Sequence, residues 1–342
     1  MKYINTKPGE VVPIPSAPGT PEQRHLFHED EITAINTALA ARRALLVRGE
    51  PGTGKTQLAR AAAVALKRPI VSFVVDSRSE SRDALWHFDA VRRLADAQVH
   101  GAMHGHRQGA NAARSISGRD KVTASLNKHL DVENYIQPRA LWWGLDWEGA
   151  KNQASRARTP PPLQTHDCDP ANGVVILIDE IDKGDMDVPN GLLEVLGSGQ
   201  FTIPGRSHPV TPPRNAIPPL VIITTNEERV LPDAFVRRCI VLTLRLPEND
   251  TELEAYLLER GRAHFKTSAV GEEVLTKAAR LLIADRKTAQ ERRSRPLPGQ
   301  AEFIDLIRAV HELAGTKASA QLDCLAKIAR FALRKHPPGM EP

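Results

Sequence analysis

Two stretches of this 342-residue chain combine residue types that can hold a polyphosphate. Gly49-Glu50-Pro51-Gly52-Thr53-Gly54-Lys55-Thr56 fits the spacing G-x-x-x-x-G-K-[ST]. Glycines at these positions let successive backbone N–H groups turn toward one anion, and a helix starting at the last glycine adds the positive end of its dipole. Lys55 is placed to reach β- and γ-phosphate oxygens, and Thr56 offers a hydroxyl to Mg²⁺. The second stretch is the apolar run VVILI (174–178), which ends in Asp179-Glu180. An acidic residue at the C-terminal tip of a parallel strand stands where ligands of open α/β sheets bind. Asp179 is expected to hold Mg²⁺, directly or through water, and Glu180 to accept the proton of an attacking water. Asn226, directly after the run LVIITT (220–225), is expected to orient the same water.

The chemistry needs a buried strand before the glycine turn and a helix after it. ALLV (44–47) and the Ala-rich QLARAAAVAL (57–66) supply both. IVSFVV (70–75), VVILI, LVIITT and CIVLTLRL (239–246) add further strands, so the pattern is a parallel sheet of about five strands with interleaved helices. Residues 1–22, rich in Pro and Gly, read as an extended arm. Residues 82–97 read as a helix, from the recurrence of Leu85, Phe88, Val91 and Leu94. From 99 to 170 the pattern is irregular and reads as an insertion, with 104–128 and 148–170 its most mobile parts. After Pro247 only helical spacing remains. A helix capped by Asn249 or Asp250 and closed at Gly261 opens a four-helix domain over 248–336, followed by a tail at 337–342.

Composition is that of an ordinary globular chain, 41% hydrophobic and 25% charged. Cys168, Cys239 and Cys324 lie far apart with no CxxC pair, which indicates neither a disulfide framework nor a cysteine zinc site. With no apolar membrane span and no signal-peptide core at the start, the expectation is a cytoplasmic protein with no membrane partner. A formal charge of +5 is too small and scattered to indicate nucleic acid, although it leaves such a partner open.

Together these residues resemble the AAA+ superfamily of ATPases, and within it the MoxR-like branch close to the dynein-related group. IDEIDKGDMDVPNGLLEVLGSGQFTIPG (178–205) is similar to the family's Walker B segment, the helix with LLE after it and a short hairpin. GEPGTGKT is similar to Walker A, TTN to sensor 1, and LPDAFVRRC (231–239) to the segment ending in the arginine finger. The resemblance implies a P-loop NTPase fold: an AAA+ α/β domain over 23–247 and an all-α lid. It also implies Mg²⁺-dependent ATP hydrolysis in a homo-oligomeric ring, usually a hexamer. Arg238, with Arg237 as the adjacent candidate, would then reach a neighbour's ATP, unless both merely pair with local acids. Further implications are chaperone-like remodelling of a protein client and a partner carrying a von Willebrand A domain. One departure stands out: where the family starts the third lid helix with a sensor 2 arginine, this chain has Gln300, Ala301 and Glu302, with Arg295 the nearest substitute.

Three segments have two readings each. His100, His104 and His106 can collect a metal or belong to a solvated loop. The cluster YIQPRALWWGLDW (135–147) can dock a partner or pack against the sheet. ERRSRP (291–296) can meet phosphate or nucleic acid or be a solvated loop. For the whole chain, a nucleic-acid-directed NTPase and a nonenzymatic nucleotide switch are the rival readings.

Overall fold

The computed structural model describes residues 3–108, 130–293 and 296–333. Residues of the arm do not stay extended alone. Val11–Ile14 (β1) pairs antiparallel with Gln23–Leu26 (β2), burying Val12 and Ile14 against the main domain. Helix α1 (Glu29–Ala41) leads to β3 (Ala44–Arg48), and the glycine turn then leads to α2 (Lys55–Leu66) and β4 (Ile70–Val74).

The segment expected to be helical over 82–97 begins otherwise. A 3₁₀ turn at Ser81–Ala84 leads into a short strand, β5 (Trp86–Phe88), and only then does helix α3 (Ala90–Gln108) start. Asp89 stops the helix from extending backward, because its Oδ1 accepts from Arg92 N at 2.9 Å as an N-cap does. The apparent apolar stripe is no core face, since Val91 and Leu94 are 81% and 61% exposed.

The stretch expected to be irregular is largely built. After 130, β6 (Ile136–Pro138) pairs antiparallel with β5, and α4 (Ala140–Leu145) and α5 (Trp147–Ala157) follow. Asp146 caps α5 through Gly149 N. Trp142 and Trp143 are buried in the cluster that covers one face of the sheet, so the tryptophans pack the insertion and do not form an open docking surface. Gly144 is the reason the helix lies so close: a Cβ there would stand 2.1 Å from Ile176 Cδ1. Residues 158–170 are pinned rather than mobile. Gln164 brackets edge strand β4, with Oε1 accepting from Ile70 N (2.8 Å) and Nε2 donating to Ile70 O (3.0 Å). Most of 104–128 lies outside the described residues. The backbone of His100, His104 and His106 is helical in α3 rather than a loop, and their side chains lie outside the description.

β7 (Val175–Asp179), α6 (Asp187–Ser198), β8 (Leu220–Thr225), α7 (Asp233–Val236) and β9 (Cys239–Thr243) complete the domain. The sheet is five-stranded and parallel, in the order β4-β7-β8-β3-β9. Alternation inside its apolar runs serves two layers. Leu45, Val47, Val175, Leu177 and Ile222 face α1 and α2, while Leu46, Ile176, Ile178 and Ile223 face α4, α6 and α7. The central strands β7, β8 and β3 are therefore dry on both faces, whereas the edge strands β4 and β9 expose Ser72, Val74 and Val241.

The lid is α8 (Asp250–His264), α9 (Glu272–Glu291), α10 (Gln300–Ala314) and α11 (Ala318–Leu333) around Leu257, Ala278, Phe303 and Leu325. Asn249, not Asp250, is the cap, accepting from Thr251 N at 2.8 Å. Helix α8 runs past Gly261, which is no stop signal. A Cβ there would meet Leu275 at 3.0 Å and Phe303 at 3.2 Å, so the glycine allows close packing of three lid helices. Of the basic run 291–296, Ser294 and Arg295 lie outside the described residues.

Candidate nucleotide site

The glycine turn is shaped by three positive φ angles. Gly49 (152°) passes under β9's continuation, where a Cβ would stand 2.3 Å from Leu244 O. Gly52 (79°) faces the lid, and Gly54 (92°) is the left-handed cap from which α2 starts at Lys55. Pro51 and Gly52 form the outer bend, and Thr53 braces it by donating to Glu50 O at 2.9 Å. Lys55 is 7% exposed and donates to Gly49 O (2.7 Å) and Glu50 O (2.8 Å). Burial lowers its pKa from the ordinary lysine value, opposed by Asp182, Asp179, Glu180 and Glu227. A polyphosphate entering the turn would offer this ammonium stronger acceptors than two carbonyls.

Across the turn, Thr56 and Asp179 meet. Thr56 Oγ1 lies 3.0 Å from each oxygen of Asp179, although 123 positions separate them in sequence. Thr224, on β8, donates to Asp179 Oδ1 at 2.5 Å and accepts from Glu180 N at 2.9 Å. One hydroxyl thus sets both members of the acidic pair. The donor set gathered here, a hydroxyl and a carboxylate, consists of the hard oxygen ligands Mg²⁺ takes, so these residues fit the ion. Glu180 adopts a left-handed backbone (φ 59°), lines the cleft, and pairs through Oε2 with Lys183 Nζ at 2.7 Å. Asn226 also lines the cleft. Its N–H, with that of Glu228, donates to Asp182 Oδ2 at 3.1 and 2.9 Å, tying the turn after β7 to the turn after β8.

The cleft measures about 340 Å³, with the lid as its far wall. Ala301 N donates to Gly52 O at 3.1 Å, and Gln300, 4% exposed, accepts from Tyr256 OH at 2.7 Å. The position that starts this lid helix is therefore neutral. Arg308, two turns along α10, lines the cleft and pairs with Asp305 at 3.0 Å. Glu50 faces the lid as well: its Oε2 accepts from Arg286 at 2.6 Å, while Arg286 also donates to Pro298 O. Its side chain is thus taken by the lid, and its carbonyl is what Lys55 uses.

Sequence reasoning missed Thr224, Asp182, Arg286 and Arg308. Thr224 is one of two threonines ending a strand otherwise apolar, and nothing in the sequence separates it from Thr225. Arg308 had a signal, lying seven positions after Ala301 and so on nearly the same helix face. Arg237 and Arg238 are absent from their own cleft. Both are exposed, and β9 begins beside them with Cys239 opposite Ala44, whereas the glycine turn follows Arg48 at the other end of β3. That separation is about 16 Å of strand. Among the described residues neither guanidinium has an ion-pair partner; Arg238 borders a second cavity with Arg42 and Arg43.

A parallel sheet with a glycine turn between strand and helix, a lysine and threonine at the helix start, and an acidic strand tip beside them defines a P-loop NTPase. The family model described as AAA domain (dynein-related subfamily) matches residues 44–260, and the chain belongs to that family, the AAA+ ATPases. Comparison with curated proteins gives no match. No described helix is long and apolar enough to cross a membrane.

Proposed function

We propose that the chain is a ring ATPase of the MoxR type that hydrolyses Mg²⁺-ATP to remodel a protein partner. The observation that carries the ring is the location of Arg237 and Arg238, a strand's length from their own cleft and without ion-pair partners among the described residues. A cation that cannot serve its own site is suited to a neighbour's. In this reading the turn from Gly49 to Thr56 cradles the phosphates, and Thr56 and Asp179 hold the ion, which when bound neutralises phosphate charge. Glu180 accepts the water's proton and Asn226 orients that water. Arg238 of the adjacent copy meets the charge that develops on the transferred group, a contribution of order 10³ to 10⁵ in rate. A hexamer, a chaperone-like role and a client or von Willebrand A partner come with the MoxR assignment, as does a cytoplasmic setting.

Mixing two inactive variants tests the shared site. Lys55→Ala cannot hold nucleotide but keeps its finger, and Arg238→Ala holds nucleotide but lacks one. Each should be inactive alone, and the mixture should recover a fraction of wild-type phosphate release that rises with protein concentration. No recovery at any ratio would sink the shared site. Remodelling is tested by capture: Glu180→Gln in ATP should retain a protein that is released in ADP.

A further inference from the structure

Glu180 is held at both ends. Its N–H is fixed by Thr224, and its carbonyl accepts from Lys183 N at 3.0 Å, closing the 3₁₀ turn Ile181–Lys183. Ile181 and Asp182 are buried beneath, and Asp182 is bound by two N–H groups of the loop after β8. The turn is therefore anchored, and what can still move is the pair of side chains above it. These meet at 2.7 Å, 34% and 41% exposed. Glu180 borders the nucleotide cleft, whereas Lys183 does not. The ammonium thus engages Oε2 from the rim, and a carboxylate that is to take a proton from water needs its lone pairs turned toward that water.

Other charges surround the pair. Lys55 on α2 acts on Glu180, while Asp182 from the turn and Glu228 from the loop after β8 act on Lys183. Lys183 is kept charged chiefly by its bond to Glu180, then by the fields of Glu180, Glu228 and Asp182, which together raise its pKa against the opposing effect of burial. Glu228 is thus the next carboxylate acting on Lys183 when Glu180 lets go.

We infer that Lys183 is a positioning residue that restrains Glu180 at the rim of the cleft, so that turnover is slowed until the pair opens. This rests on Glu180 being the base. Steady-state ATP hydrolysis by the full chain separates the two claims. Lys183→Met and a second neutral variant, Lys183→Ala, should each raise kcat roughly two- to fivefold, the range that a half-exposed ion pair supports. KM should stay the same, and Lys183→Arg should return kcat to the wild-type value. A lysine that merely stabilised the turn would give lower turnover when removed, and Arg would not restore a rate that had never risen. Equal or lower kcat in both neutral variants, with Glu180→Gln inactive, overturns the restraint and leaves the base standing. Full turnover by Glu180→Gln would remove the base, and the restraint with it.

Discussion

At the scale of single residues, Thr224 connects more of the site than its type suggests. Its hydroxyl donates a hydrogen bond to Asp179 and accepts one from Glu180 N–H, so it orients together the carboxylate proposed to hold the ion and the turn that carries the proposed base. Thr224→Val keeps the shape of the side chain and removes both bonds. We expect kcat to fall by about 10- to 100-fold, as for other groups that orient metal-holding carboxylates, with the fold intact by circular dichroism. The glycine turn and the acidic doublet were legible because their chemistry restricts residue type: only glycine takes φ near 80–90° cheaply, and only a carboxylate suits the strand tip. Thr224 was not, because a threonine in a strand is also simply a good strand former.

Among the elements, the insertion differs most from its sequence pattern. Helix α4 has six residues and too few turns to show a period, yet all of them are buried. Its position depends on Gly144 lying against Ile176. Gly144→Ala should cost about 1–3 kcal/mol, read as a lowered urea midpoint, since the added methyl has to displace the helix or Ile176. The same change at Gly197, where nothing lies within 4 Å of the added atom, should be mild by comparison. The expected helix at 82–97 failed for the converse reason. Threefold spacing of Leu85, Phe88, Val91 and Leu94 imitates an amphipathic face, but strand pairing of Trp86–Phe88 with Ile136–Pro138 captured its first half. Pairing with a segment 48 positions away leaves no mark in a local window.

For the whole molecule, the lid closes on the phosphate loop through neutral and paired contacts: Ala301 to Gly52, Arg286 to Glu50, and Arg308 beside the cleft. His264, at the end of α8, borders the same cleft, and its pKa is pushed down to about 4 by burial and then by the nearby Arg308, Arg260, His25 and Arg24. Unfolded, this histidine binds a proton below pH 6.5; folded, it does so only near 4. The unfolded state therefore binds more protons in that window, so stability is complete above 6.5 and declines as the pH falls toward 4. The loss is at most about 3 kcal/mol. Urea unfolding at pH 7.5 and pH 5 should show a smaller difference for His264→Asn than for the wild type; an unchanged difference would mean that this residue does not set it.

What the sequence determined by itself was local chemistry and layer pattern: the glycine turn, the acidic strand tip, buried strands with helices between them, and helices alone after Pro247. Each of these is written in neighbouring residues, through conformational cost or hydrophobic period. Tertiary structure alone decided that Thr224 stands against Asp179, that Glu50 turns to Arg286, and that the tryptophans cover a sheet. Those outcomes depend on strand order and on which buried surfaces meet, and a chain has no local signal for a partner 45 or 236 positions away.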